Sequence, residues 1–385
     1  MQWRFTPFQI GIRISGPPRL LVSIAWAGLF ACSHLASAEV PRGVFSLSPA
    51  GVACQDSVLS NPSVDGVGIR QNWKDLEPTE GVYNWSFLDS QVARAAAAGK
   101  KVLLRINTQF AKPEWVTNAV TNAGGVFFAF DKDGVPTTIP VFWDPTFLAK
   151  KKAMIAALGA HFTNNSAIEI VWTSFANANS EDWSVPHTPP DIANWFAVGY
   201  SSEKLLDAGK QIIDATMAAF PNQYVTLAVA GNGHVGSTGN LDPDASYVAR
   251  NAVLAARATW PGRLIVQKNS LSTFNPPAPG TGTLFQLLWD SRPDIGGQML
   301  DACFGDTTYR NNAGVPDDAA VILHKSINVG AGYGMNYIEI YQTDVLNLPA
   351  EITYAHNVLL GLVPPSATPP PVAVPKPPTG LQLQP

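Results

Sequence analysis

The feature that most constrains this chain is an alternation. Eight short apolar runs recur along it, separated by stretches long enough to carry the chain back to the same edge of a sheet. The runs are Gly43–Leu47, Gly66–Gln71, Lys101–Ile106, Ile168–Thr173, Tyr224–Ala230, Leu264–Lys268, Ile295–Leu300 and Asn336–Tyr341. Apolar residues at helical spacing predict helices over Ser86–Ala98, Pro145–Phe162, Pro190–Phe220, Asp244–Thr259, Gly282–Trp289 and Asp317–Val329. Parallel strands need crossover helices of this kind, so eight strand–helix pairs predict an α/β fold, a (β/α)8 TIM barrel. A doubly wound open sheet would want a Gly-rich phosphate turn after the first strand, and Ser46-Leu47-Ser48-Pro49-Ala50-Gly51 is not one. No period of 20–50 residues repeats, which excludes solenoids and propellers.

The two ends read differently. Arg4, Arg13 and Arg19 precede an apolar run from Leu20 to Ala31, and Ala36-Ser37-Ala38 is a small-x-small cleavage pattern, so residues 1–38 read as an export signal peptide. The apolar run is too short for a membrane span. The chain is therefore expected to be secreted or periplasmic; lipidation at Cys32 is the alternative, against which the bulky Phe30 counts. Cleavage leaves Cys54 and Cys303, and an oxidising compartment predicts a disulfide bond between them. From Pro364 to Pro378 the sequence is proline-rich, which predicts an extended tail or linker over 364–385 whose deletion leaves the fold unchanged. The barrel domain is then 39–363. With 25 Lys+Arg against 29 Asp+Glu there is no basic field for nucleic acid and no polybasic membrane patch.

In a (β/α)8 barrel the reactive side chains sit just after the C-terminal ends of the strands. The second strand runs into Trp73-Lys74-Asp75-Leu76-Glu77-Pro78-Thr79-Glu80-Gly81-Val82-Tyr83-Asn84-Trp85-Ser86-Phe87-Leu88-Asp89, and the third leads to Lys112-Pro113-Glu114-Trp115. These segments resemble the retaining (β/α)8 glycoside hydrolases, especially the β-galactosidase-like (family 42-like) members. Those carry a W-x-x-L-E-P-x-x-G-x-Y-x-W-x-x-L-D segment after strand two and a P-x-W loop after strand three. The resemblance covers about Gly66 to Phe162. It implies an exported hydrolase of O-glycosyl bonds acting with retention on an oligo- or polysaccharide.

Glycoside hydrolysis needs two carboxyl groups, one to protonate the leaving oxygen and one to stabilise or attack the anomeric carbon. The resemblance places them as glutamates after strands four and seven, the first preceded by Asn, and this chain departs from both expectations. After strand four the first glutamate is Glu181, in Asn177-Ala178-Asn179-Ser180-Glu181-Asp182-Trp183, and it is the acid/base candidate, with Asp182 the alternative. Strand seven carries Gln298, an amide, at the expected place, followed by Asp301 and Asp306. On strand eight the two-residue period turns Ile338 and Ile340 toward the helices and Tyr337, Glu339 and Tyr341 toward the axis, so Glu339 is the nucleophile candidate. Neutralising such a carboxylate is expected to remove chemistry more than stability. Arg70, by the resemblance, braces the nucleophile, and Arg105 is an equal candidate for that place. Glu77 reads as a carboxylate that satisfies turn backbone groups.

Carbohydrate contacts are expected from Arg70, Trp73, Asn107, Trp115, Asn177, Trp183, His234, Gln298 and Tyr341, because aromatic planes and amides after strand ends suit a sugar. The histidines left after cleavage make no HxH or HExxH spacing, so no metal and no cofactor is expected. A second reading stays open on the same residues: a barrel that has lost one carboxylate and binds carbohydrate without cutting it.

Overall fold

The computed structural model of this chain describes residues 39–132, 134–173, 188–229, 247–280, 283–305 and 309–367. The expected signal peptide over residues 1–38 and the site candidates Asn177, Glu181, Asp182, Trp183, His234 and Asp306 lie outside the described residues.

Among the described residues there are ten strands: β1 (Gly43–Leu47), β2 (Gly66–Asn72), β3 (Lys101–Asn107), β4 (Phe127–Lys132), β5 (Val135–Pro140), β6 (Ile168–Trp172), β7 (Tyr224–Ala228), β8 (Leu264–Leu271), β9 (Ile295–Met299) and β10 (Tyr337–Tyr341). Eight of them close a parallel barrel in the order β1-β10-β9-β8-β7-β6-β3-β2, so the expected (β/α)8 fold is the observed one. The remaining two, β4 and β5, form an antiparallel hairpin inserted after β3. The alternation of strands and crossovers did not reveal it. The hairpin buries Phe128 and Phe130, and Phe128 stacks on Trp195 at 3.5 Å between ring centroids.

The helices are α1 (Asp56–Leu59), α2 (Trp73–Leu76), α3 (Ser86–Ala97), α4 (Glu114–Asn122), α5 (Pro145–Phe162), α6 (Pro189–Ala197), α7 (Ser202–Ala219), α8 (Tyr247–Thr259), α9 (Leu284–Asp290), α10 (Ala319–Tyr333), α11 (Gln342–Asn347) and α12 (Pro349–Leu359). Their starts follow local chemistry. Asp144 caps α5 by accepting the Phe147 amide, with Pro145 in the first turn, and Thr188 and Asp191 close a capping box on α6. The single helix expected over Pro190–Phe220 is two helices. Gly199 takes a left-handed φ of +75°, and Ser201 caps α7 by accepting the Lys204 amide.

Two apolar layers stabilise the barrel. The larger lies between strands and helices and contains Ile338 and Ile340. The smaller fills the barrel axis and consists of Phe45, Leu103, Ile170, Trp172, Ala228, Ile265 and Tyr337. It depends on two glycines: a Cβ on Gly66 would meet the Phe45 ring at 2.4 Å, and one on Gly296 would meet the Tyr337 ring at 2.4 Å. Large rings therefore sit against strands that have no side chain at those positions, and the axis is plugged rather than open.

One expectation is corrected. Cys54 and Cys303 are not bridged to each other; both are buried, each settled in its own surroundings. The Cys303 sulfur accepts from Asn311 Nδ2 at 3.2 Å and its amide donates to Asp344, while burial pushes the Cys54 thiol up to about 11. The expected barrel domain ends at 363. Ser366 is hydrogen-bonded to α10 and α12, so the first residues of the proline-rich stretch belong to the folded body. Among the described residues no helix is long and apolar enough to cross a membrane.

Candidate active site

On β3, β8 and β10 the side chain two residues beyond the apolar plug is polar. Leu103 is followed by Arg105, Ile265 by Gln267 and Tyr337 by Glu339. These three side chains, with Gln298 of β9, meet in one buried network. Glu339 Oε2 accepts from Arg105 Nη2 at 2.8 Å and from Gln267 Nε2 at 2.8 Å. The Arg105 fork also donates to Gln298 Oε1 at 3.2 and 3.1 Å, and its guanidinium lies over the Trp172 ring at 3.5 Å. Both members of the ion pair are fully buried, at 1% and 0% exposure. A buried charge is tolerated only when paired and hydrogen-bonded, and this pair is both.

The orientation of the Gln267 amide is set from below. Tyr337 OH and Thr226 bond to its Oε1, so its Nε2 faces Glu339 and Asn269 Oδ1. Burial pushes the Tyr337 phenol up, with the Glu339 charge adding to it, so Tyr337 remains a donor. The outcome is an asymmetric carboxylate: among the described residues Oε2 has two donors, whereas Oε1 has none. Among the described residues, the other buried polar atoms without partners are Trp172 Nε1, Asn107 Oδ1, both amide atoms of Gln109, Gln71 Oε1, Arg105 Nε, Ser46 Oγ and Arg42 Nε. Asn107 ends β3, and Gln109 lies in the loop just beyond it. Native proteins leave few such groups, so several at one end of a barrel point to a ligand or water position.

Gly68 faces the free oxygen. A Cβ there would stand 2.9 Å from Glu339 Oε1, while Arg105 and Gln267 prevent the carboxylate from retreating. Gly68→Ala is therefore expected to turn the carboxylate and cut turnover by about 10²-fold, the order that misplacement by about 1 Å costs. Steady-state kinetics with circular dichroism as the fold control checks this.

Several expected contacts are reassigned. Trp73 is fully buried; its Nε1 donates to Glu77 Oε2 at 2.7 Å and its ring packs edge-on against Trp115, so it is a core residue and not a sugar platform. Trp115 Nε1 is held by the Glu77 carbonyl at 3.0 Å, which makes it a brace of the same turn. Glu77 serves the turn as expected, accepting from Gly81 N at 2.8 Å. Arg70 does not brace the nucleophile candidate: its Nε donates to the Ser48 carbonyl at 2.6 Å, and Arg105 takes that place. Tyr341 is half-buried at the mouth, and burial pushes its phenol up. In the P-x-W loop, burial pushes Lys112 down to about 8, with its Nζ on the Gln109 carbonyl at 2.9 Å. Asp301, behind β9, is ion-paired to Arg310 at 3.0 Å; Asp344, pushed up to about 6 by burial, holds the amides of Cys303 and Phe304.

Sequence reasoning missed Gln267, Gly68 and Gln109. The signal for the first was present: Ile265, Gln267 and Asn269 alternate along β8 with the same period that singled out Glu339. Among the described residues no group of three or more His, Cys, Asp or Glu side chains is placed to hold a metal ion.

The family model described as β-galactosidase (glycoside hydrolase 42) matches residues 62–180. No curated protein matches the sequence. Among solved structures, the catalytic domain of β-amylase from Paenibacillus polymyxa aligns with TM-score 0.52 at 10% identity, over 79% of this chain and 94% of that one. Xylanase B from Clostridium stercorarium F9 aligns with TM-score 0.47 at 12% identity, over 80% of this chain and 87% of that one. The resemblance read from the sequence therefore stands: this chain is a (β/α)8 barrel carrying, over residues 62–180, the sequence pattern of the β-galactosidase family of glycoside hydrolases.

Proposed function

We propose that the chain hydrolyses glycosidic bonds of an oligo- or polysaccharide, with Glu339 as nucleophile and Glu181 as acid/base, and that it is exported. The observation that carries this reading is the asymmetric carboxylate of Glu339, one oxygen fixed by Arg105 and Gln267 and the other unpartnered opposite Gly68. Retention requires a carboxylate oriented to attack the anomeric carbon, with its second oxygen held still. Arg105 pairs with the carboxylate and Gln267 fixes its plane. Glu181 follows β6 in the sequence and would deliver the proton to the leaving oxygen. Glu339 has no exposed surface, so substrate reaches Oε1 only when the mouth of the barrel moves.

A 2-deoxy-2-fluoro glycoside with a good leaving group traps a retaining nucleophile as a stable ester. Peptide mapping is expected to place the label on Glu339; a label on Asp301 or Asp306 moves the role there. Glu181→Gln is expected to keep much of its activity on nitrophenyl glycosides while losing about 10²-fold or more on unactivated oligosaccharides, because a good leaving group needs little protonation. Equal loss on both substrates overturns its role as the acid.

Full burial of Glu339 and an amide, Gln298, on strand seven favour a second reading, a carbohydrate-binding barrel without turnover. Oligosaccharide binding by calorimetry, with no cleavage across a broad glycoside panel, selects it.

A further inference from the structure

We propose that the flank formed by α10 and α12 is a binding site for the extended proline-rich segment of this same chain, and that one proton shared by His324 and Glu351 holds the segment there. The site is built around one peptide unit. The Ser366 carbonyl accepts from His324 Nε2 at 2.6 Å and from Asn328 Nδ2 at 2.8 Å. The Ser366 amide donates to Tyr354 OH at 2.8 Å, and that hydroxyl donates on to Asn328 Oδ1, which closes a ring of bonds around the segment. Pro364 and Pro365 have no N–H, so Ser366 is the first residue of the stretch that offers both a donor and an acceptor. The flank reads that residue.

Counting protons makes the hold conditional. A carbonyl has no proton to give, so His324 Nε2 must carry one. The other ring nitrogen, Nδ1, lies 2.9 Å from Glu351 Oε2, and this contact also needs a proton. The pair is then either imidazolium with carboxylate or imidazole with carboxylic acid. Remove that proton and one bond must fail. Either the Nδ1 lone pair faces the Glu351 carboxylate, or the tautomer shifts and the Nε2 lone pair faces the Ser366 carbonyl. Both side chains are buried, at 1% and 2% exposure, so water does not relieve the repulsion.

The surroundings favour keeping the proton. Burial holds the Glu351 carboxyl above the ordinary carboxylate range, the His324 charge opposes this, and Asp318 adds to it. Tyr354 stacks on the His324 ring at 4.2 Å. The other charges on these elements are matched elsewhere: Lys325 with Asp317, His356 with Asp65, and Arg310 of the adjoining turn with Asp301. The hold is thus complete at low pH and lost as pH rises through the range where the pair gives up its shared proton. Release frees residues 364–367, about 12 Å of extended chain at about 3 Å per residue.

The test is a nitroxide label at Ala367→Cys in the full chain, read by electron paramagnetic resonance from about pH 5 to about pH 9. All variants carry Cys32→Ser, and the chain with that change alone is the labelling blank, since Cys54 and Cys303 are buried. The immobilised component is expected at the acid end and lost at the alkaline end. Glu351→Gln is expected to stay immobilised throughout, because an amide N–H donates to Nδ1 and fixes the proton on Nε2. His324→Phe is expected to be mobile throughout. An immobilised label at both ends in the otherwise unsubstituted chain overturns the proposal, as does a Glu351→Gln variant that still releases at high pH. If circular dichroism shows that Glu351→Gln does not fold, the His324 ring nitrogen shifts decide in the unsubstituted chain. Nε2 and Nδ1 both unchanged across the release would equally overturn it.

Discussion

Glu339→Gln is expected to lower kcat/KM by ~10³-fold or more on every glycoside the chain cleaves, the scale on which removing a nucleophile acts. The amide keeps the shape and still accepts from Arg105, but it cannot attack an anomeric carbon. The structure adds a consequence that the sequence did not suggest. Arg105 is buried beside Glu339 and loses its counter-charge in the variant, so stability falls as well. Charge deletion from a buried pair costs about 3–5 kcal/mol when nothing replaces the partner, and less here because the acceptor oxygen survives. Activity is therefore measured below the melting transition of the variant, and addition of azide to Glu339→Ala, whose truncated side chain leaves room for the anion, supplies the control. A small anion restores turnover with inversion only if Glu339 was the nucleophile. Full activity with lowered stability would make Glu339 a structural ion-pair residue and move the search to Asp301.

Arg105→Met has the largest expected effect on stability. It leaves the Glu339 carboxylate buried with one amide donor, removes both donors to Gln298 Oε1 and takes the cation from the Trp172 face. A loss of about 3–5 kcal/mol in urea unfolding is expected. The double variant Arg105→Met with Glu339→Leu is expected to recover most of that loss, since a buried pair replaced by apolar groups of similar volume is often close to neutral. A single-variant cost below about 1 kcal/mol would show that the pair is solvated and contributes as surface pairs do. The recovered double variant would still be inactive, which separates the structural contribution of the network from its chemistry.

The barrel was legible in the sequence because the strand pattern is local. β1 matches its predicted bounds, and the other seven barrel strands differ from theirs by at most three residues at one end. Inward and outward faces of β10 also followed from the two-residue period, and Tyr337 and Ile338 separate into the two apolar layers accordingly. The β4–β5 hairpin was missed although Asp133-Gly134, a two-residue hairpin signal, stands between its strands in the sequence. What the sequence did not show is its docking, the stacking of Phe128 on Trp195 far along the chain. The split between α6 and α7 was readable in Gly199 and Ser201, and continuous apolar spacing across it concealed the break.

The site divides the same way. Sequence by itself determined that Glu339 points into the axis, that strand seven carries an amide where a carboxylate was expected, and that Glu77 belongs to a turn, because each follows from neighbours within a few residues. Only the tertiary structure decided which arginine meets Glu339, since Arg70 and Arg105 stand in register on adjacent strands and differ only in what the closed barrel brings opposite them. It also decided that Gln267 and Gly68 shape the carboxylate, that Trp73 is core, and that Ser366 is held to the barrel flank. The physical reason is range. Periodicity and capping act over one or two turns of chain, whereas a buried charge takes its partner from whichever strand the closure of the sheet places within hydrogen-bond reach.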